Sequence, residues 1–289
     1  MTYPTLITPA QLQSLVTAGS PLMVFDASNE LMDQAAGDAQ FASVHIAGAV
    51  RANAERHLSA HDAEHAINGG RHPLPTREQV ASWLSQIGFR NDMQAVVYDR
   101  QSSVFAGRLW WMLKWLGHDA VAVLDGGLPA WQAAGGAVSS GDAAVHPAST
   151  FALQPPLREL RTQAQVAALL DQPGSQTLID ARGRPRFLGE VEPLDPVAGH
   201  IPGALNRPSS DNFDPQGRFK DTDTLRADFE RLLAGRPPAT VVHQCGSGIS
   251  AVSNMIAMEL AGYAPMPLYA GSWSEWCNTP GAPVARGEA

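Results

Sequence analysis

Only two cysteines, Cys245 and Cys277, occur in 289 residues. That is too few for a disulfide framework or an all-cysteine metal site, so each thiol is left to reactivity or to packing. Basic residues are scarce as well: 20 Lys and Arg against 28 Asp and Glu give a formal net charge of −8, and no basic cluster stands out. A nucleic-acid partner is therefore disfavoured. Long apolar runs are missing too. The most apolar stretch, residues 249–262, is broken by Ser250, Ser253, Asn254 and Glu259, well short of the roughly 18 apolar residues that a membrane span needs. The first eleven residues carry no basic region, no apolar run and no small-residue cleavage site. These absences predict a soluble, cytoplasmic protein with no membrane partner. What is present, 44% hydrophobic and 17% charged residues with 26 glycines and 22 prolines, is the composition of a globular chain, long enough for two ordinary domains.

The chain repeats itself. Asp26 closes an apolar run, as does Asp180, 154 residues later; His45-Ile46-Ala47-Gly48-Ala49 returns as His200-Ile201-Pro202-Gly203-Ala204, 155 later. The offset then falls to 145, which relates Val96-Val97 to Val241-Val242, Gly117 to Gly262, Gly126 to Gly271 and Trp131 to Trp276. Several unlike signals holding one spacing indicate a duplication, with about ten extra residues in the first copy. The Ser/Ala/Gly/Pro-rich stretch after residue 138 reads as a linker. The predicted domains are residues 1–140, a linker over 141–151, and residues 152–289.

Each copy alternates strand and helix signals. Short runs rich in Val, Leu and Ile (22–26, 95–99 and 120–124; then 177–180, 240–244 and 266–269) read as buried parallel strands. Thr8, Thr76 and Thr162 each precede a Gln by three residues, the signature of a capping box, and Gly19, Gly88, Gly117, Gly235 and Gly262 sit where helices should end. The pattern predicts two α/β domains, each a mostly parallel sheet flanked by helices, with ligands gathering at the carboxyl ends of the strands.

The chemistry concentrates at Cys245. An apolar strand, Val241-Val242-His243-Gln244, delivers it into the loop Gly246-Ser247-Gly248-Ile249-Ser250, and an amphipathic helix follows. A cysteine after a strand is by itself usually a packed small hydrophobe. Here the two glycines let backbone N–H groups turn inward and the helix aims its positive end at the sulfur, an arrangement that favours a thiolate, a persulfide or an oxyanion. The 145 offset sets Arg100 against Cys245, so the first copy has no nucleophile and is expected to support the second. A cysteine phosphatase would need an arginine six residues after the nucleophile, where Ala251 stands. His243 is either a base for Cys245 or a packed residue.

The paired His-Ile-x-Gly-Ala motifs, Leu124-Asp125-Gly126-Gly127 with Trp131, Gly271-Ser272-Trp273-Ser274-Glu275-Trp276 and the Cys245 loop together resemble the tandem-domain rhodanese superfamily of sulfurtransferases over the whole chain. Cys245-Gly246-Ser247-Gly248-Ile249-Ser250 is similar to the Cys-Gly-Ser-Gly-Val-Thr loop of 3-mercaptopyruvate sulfurtransferases, whereas thiosulfate-preferring members commonly carry basic residues there. The resemblance implies a double displacement in which Cys245 takes sulfur from a small anionic donor as a persulfide. A thiol such as thioredoxin, or cyanide, then accepts it, and no cofactor or metal is required. It also implies roles for Ser247 and for His72, in Gly70-Arg71-His72-Pro73-Leu74-Pro75, as catalytic partners, for Glu55 as a supporting acid, and for Arg186 as one of two substrate arginines. The second is replaced by Leu194, which offers no bidentate grip on a carboxylate. A thiosulfate-preferring enzyme and a non-catalytic sulfur carrier remain as alternatives.

Other polar residues have plainer readings. Arg182, Arg184 and Arg186 could form a solvated cluster; Asp26 and Asp180 read as loop-organising acceptors, His45 and His200 as shared structural residues, and Cys277 as a packed thiol. His57, His61 and His65 recur every four residues in a charged stretch, which reads as a solvated helical face ahead of a metal site.

Overall fold

The computed structural model describes residues 2–30, 33, 35–60, 62, 64–100 and 103–288. The chain forms two compact units, and both borrow from across the sequence. The first comprises Met1–His65, Pro75–Leu157 and Asp214–Phe219; the second comprises Ala66–Leu74, Arg158–Phe213 and Lys220–Ala289. Residues 141–151 lie within the first unit, where the Ser149 N–H donates to Ser85 O. The exchange of residues 66–74 matters most for function, because it adds a short stretch of the amino-terminal half to the second unit.

The first unit is built on a five-stranded parallel sheet in the order Leu6–Ile7, Val121–Leu124, Gln94–Tyr98, Leu22–Asp26, Val50–Arg51. Its central strand Gln94–Tyr98 is buried at every residue, as expected of an apolar run with helices packed on both faces. The second unit repeats the order. Val241–Gln244 pairs with Thr177–Asp180, which pairs with Leu205–Asn206. On the other side of Val241–Gln244, the run read as a strand over 266–269 is reduced to parallel bridges from Leu268 to His243 and to Leu160. Pro267 is the reason: Tyr269 N–H donates to His243 O, and the donor that would continue this ladder is missing from proline.

Local signals act as read. Thr8, Thr76 and Thr162 form complete capping boxes with Gln11, Gln79 and Gln165, each stabilising its helix by about 1 kcal/mol. Gly19, Gly88, Gly117, Gly235 and Gly262 all follow helices at positive φ. The repeat extends to side chains. His45 Nδ1 lies 2.8 Å from Phe41 O with its ring stacked on Phe41, and His200 Nδ1 lies 2.8 Å from Phe187 O with its ring stacked on Phe187. Asp26 accepts the Ser28 N–H and Asp180 the Arg182 N–H, so both carboxylates organise the turn that leaves their strand.

Residues 54–58 form a turn, not the expected helical face. Asn53 Oδ1 accepts the N–H groups of Glu55 and Arg56, an Asx turn that diverts the backbone from a helix. His57 stacks on Trp83 at 4.7 Å and its Nδ1 accepts the Asn53 N–H, while His65 pairs with Asp62. His61 lies outside the described residues. Among the described residues, no group of three or more His, Cys, Asp or Glu side chains is placed to hold a metal ion, and no helix is long and apolar enough to cross a membrane.

Candidate active site

Strand Val241–Gln244 ends at Cys245, which is buried in the second unit. Helix Ser272–Trp276 fixes the start of the loop. Ser272 Oγ accepts the Cys245 N–H at 3.1 Å and donates to Tyr269 O, while the N–H groups of Trp273 and Ser274 donate to the carbonyls of Cys245 and Gly246. Ser272 is held at φ 56°, a left-handed conformation unusual for a side-chain-bearing residue. The two loop glycines serve different ends. Gly248 has φ 75°, and a methyl group there would meet Ala270 O at 2.3 Å; only glycine fits. Gly246 has no positive φ, and what a methyl group would meet is Arg71 Nη2 at 3.1 Å and Arg186 Nη1 at 3.4 Å.

Residues 66–74 bring a histidine to the same loop. His72 Nδ1 lies 2.7 Å from Ser247 Oγ, with both side chains buried. The segment is pinned by the helix that holds the Cys245 loop: Ser274 Oγ accepts the Arg71 N–H at 3.1 Å and Glu275 Oε1 accepts the Gly69 N–H at 2.7 Å. Gly-Ser-Trp-Ser-Glu-Trp, read in the sequence only as a family marker, therefore fastens the cysteine loop and the histidine segment to each other.

An arginine cluster stands beside them. Arg186 binds Glu192 through Nε at 3.2 Å and Nη2 at 2.7 Å, and reaches Asp195 at 3.2 Å; Arg71 Nη1 pairs with the other oxygen of Asp195. Arg182 is different in kind. It is buried, bonded to Asp180, Glu192 and Gly199 O, and stacked over Trp273 at 4.8 Å, while Arg184 pairs with Glu288 at the surface. The three arginines of one sequence stretch thus divide into a structural brace, a solvated residue and one that stands beside Gly246 of the Cys245 loop. Leu194 donates its N–H to Glu192 and helps to hold the carboxylate that orients Arg186.

The remaining expected residues fall elsewhere. Glu55 belongs to the first unit, where its backbone N–H caps on Asn53, and the arrangement around Cys245 described here draws on the second unit alone. His243 is fully buried with neither ring nitrogen partnered among the described residues, and desolvation pushes its pKa down to about 3; it is a packed residue. Burial, together with the charges of Asp195 and Glu192, raises the pKa of the half-buried Cys277 thiol, which suits packing more than reactivity. Sequence reasoning missed Arg71, although it quoted the residue beside His72, and missed Asp195 and Glu192; their acidic and basic side chains were legible, their convergence was not.

Hydrogen-bond register corrects the internal alignment by one residue. Ala27 N–H donates to Tyr98 O as Ala181 N–H donates to Gln244 O, so Tyr98 matches Gln244 and Asp99, not Arg100, matches Cys245. The 145 offset resumes at Ser103 and Gly248, both at positive φ, because the first copy's loop is one residue longer. Asp99 Oδ1 accepts the Ser103 N–H and Oδ2 those of Phe105 and Ala106, at 2.9 to 3.0 Å. The loop and helix start of the first copy thus cradle a carboxylate.

A cysteine at the tip of a parallel strand, a Gly-Ser-Gly loop and a duplicated α/β unit define a rhodanese-type sulfur-handling site. The Rhodanese-like domain family matches residues 8–134 and 162–279, and the chain belongs to that family. It is 46% identical over 285 residues to the "Probable 3-mercaptopyruvate sulfurtransferase" of Pseudomonas aeruginosa, covering 98% of each chain. It is 33% identical over 237 residues to "Thiosulfate/3-mercaptopyruvate sulfurtransferase 1, mitochondrial" of Arabidopsis thaliana, covering 74% of this chain and 62% of that one. The fold superposes on SseA from Escherichia coli, a 3-mercaptopyruvate sulfotransferase, with a TM-score of 0.78 and 28% identity over 94% of this chain and all of that one. The protein is a sulfurtransferase.

Proposed function

We propose that Cys245 carries sulfur as a persulfide and that the favoured donor is 3-mercaptopyruvate. The observation that carries this reading is the 2.7 Å contact of His72 Nδ1 with Ser247 Oγ, two residues from the cysteine in a loop free of basic side chains. The Cys245 thiolate attacks the donor sulfur; the carbon–sulfur bond breaks and its electron pair passes to carbon, leaving the enolate of pyruvate. The enolate takes a proton at carbon, for which the hydrogen-bonded Ser247 and His72 supply a relay, and the persulfide sheds its own proton. An acceptor thiol or cyanide then attacks the outer sulfur, releasing the persulfide or thiocyanate product and restoring the Cys245 thiolate. With thiosulfate the same attack would expel sulfite, with no carbon to protonate. The His72–Ser247 pair is therefore the feature that favours the mercaptopyruvate reaction. The Pseudomonas aeruginosa relative, named for 3-mercaptopyruvate, supports the same choice, while the Arabidopsis thaliana relative is named for both donors.

Thiocyanate formation measured with 3-mercaptopyruvate and with thiosulfate at one pH tests the reading. The expected result is a higher kcat/KM for 3-mercaptopyruvate, abolished in Cys245→Ser. A preference for thiosulfate would overturn the donor assignment. Transfer surviving in Cys245→Ser would overturn the nucleophile, and absence of turnover with either donor would leave the carrier reading in its place.

A further inference from the structure

We propose that Arg71 is a specificity residue: with Arg186 it forms the binding site for a carboxylate on the sulfur donor, over Gly246. This rests on the proposed reading of Cys245 and its donor and adds the residue that would grip the donor's carboxylate where Leu194 cannot. The two guanidinium groups are each engaged on one side by acids and converge on the other. Arg71 uses Nη1 for Asp195, and Arg186 uses Nε and Nη2 for Glu192 and Asp195. The atoms those acids do not engage, Arg71 Nη2 and Arg186 Nη1, both face the empty position of a Gly246 side chain, at 3.1 and 3.4 Å. The acids are nearly sealed, at 2–3% side-chain exposure, while Arg71 and Arg186 keep 27% and 20%. Two forks held from behind by buried carboxylates and open beside a nucleophile loop suit a planar anion with two oxygens.

The requirement for glycine at 246 follows from this arrangement. Its backbone is not in the left-handed region, so alanine is conformationally acceptable there, and the added methyl would stand against both guanidiniums. Arg71 also lies next to His72 on one segment whose Arg71 N–H is anchored by Ser274 Oγ. Binding of a carboxylate to Arg71 therefore steadies the same segment that presents His72 to Ser247. The second guanidinium is supplied from this segment, where Leu194 cannot supply one.

Calorimetric titration of Cys245→Ser protein with pyruvate isolates the carboxylate site from sulfur chemistry. Adding Arg71→Ala or Gly246→Ala is expected to weaken pyruvate binding about tenfold or more, the size of a lost charge-assisted hydrogen bond, with Arg71→Lys intermediate because it keeps the charge without the fork. In the enzyme with Cys245 intact, Arg71→Ala should raise KM for 3-mercaptopyruvate by a similar factor and alter sulfur release from pre-loaded enzyme far less. Thermal unfolding midpoints identify any variant that has lost its fold; Arg71→Lys, partly exposed at its head, then carries the test. Unchanged pyruvate affinity in Arg71→Ala, or no pyruvate binding with Arg71 intact, overturns the proposal. Neither result bears on Cys245, whose failure would show separately as transfer activity surviving in Cys245→Ser.

Discussion

Asp99 and Cys245 close equivalent strands of the two copies, and the chain around them diverges in a way that explains both. In the first copy three backbone N–H groups at the loop and helix start converge on the Asp99 carboxylate, so the anion is built in. In the second copy the loop is one residue shorter, begins Gly246-Ser247-Gly248, and ends its strand in a thiol. The strand order and the stacked His–Phe pairs are kept in both. The strand–loop–helix geometry is common to both copies; whether the second loop also holds an anion is tested by exchanging the two residues. The bracing of the neighbouring carboxylate differs accordingly. Asp26 is met by Arg100, from the loop after Asp99, whereas Asp180 is met by Arg182 from its own turn, so the Cys245 loop contributes no cationic residue of its own.

Exchanging the two residues gives the largest expected effect. Cys245→Asp should reduce transfer to background yet unfold at a midpoint no lower than Cys245→Ala, because the cradle would accept the carboxylate. An unaccommodated buried carboxylate would instead cost several kcal/mol, and a midpoint far below that of Cys245→Ala would show that the second loop does not hold anions. In the opposite direction, Asp99→Cys should gain no transfer activity and lose about 2 kcal/mol or more in denaturant unfolding, since buried N–H groups lose an ionised acceptor. Sulfur transfer measured in Asp99→Cys/Cys245→Ser would break the comparison outright.

Next in size is the His72–Ser247 pair, which the first copy's loop has no cysteine to serve. His72→Ala and Ser247→Ala should each lower kcat with 3-mercaptopyruvate by about 10²-fold, and the double variant should be little worse than either, since the two act through one hydrogen bond. Additive losses would mean that the two side chains act separately. With thiosulfate, where no carbon is protonated, the same substitutions should matter much less.

Much of this is legible in the sequence. Spaced Thr and Gln announced three helix starts, the paired motifs announced the duplication, and glycines on either side of Ser247 marked the nucleophile loop. The helix starts and the loop are local signals, set by neighbours within a few residues, and the duplication is a match between two such local motifs. The alignment of Arg100 with Cys245 failed because counting from glycine to glycine cannot see a one-residue insertion that hydrogen-bond register reveals at once. Residues 57–65 looked helical by spacing alone, while Asn53 Oδ1 had already captured the N–H groups that a helix would need. Arg71 stayed hidden for a different reason: its place is set by Ser274 and Glu275, some 200 residues away, and nothing in Gly-Arg-His-Pro states where that guanidinium points.

The smallest expected effect concerns a strand position at which the copies differ without consequence for the site. By register His243 matches Val97, which is fully buried in the first unit. In the second unit the imidazole is buried without a partner among the described residues, its pKa pushed down to about 3 by desolvation. A folded-state value below the roughly 6.5 of an unfolded histidine means that the unfolded chain takes up the proton first as pH falls. This contribution to stability is therefore intact above pH 6.5 and is lost progressively from there down to about pH 3. His57, at about 4 through burial and the charges of Arg56 and Arg51, adds the same sign in the first unit. His243→Val should stabilise the protein at pH 7 by about 1 kcal/mol, as an unpaired polar group gives way to an apolar one of similar size. It should also flatten the fall of unfolding free energy between pH 6.5 and 4, while leaving kcat/KM unchanged. An unaltered pH slope would mean that the imidazole is partnered after all, and a loss of turnover would return His243 to the candidates for a base at Cys245.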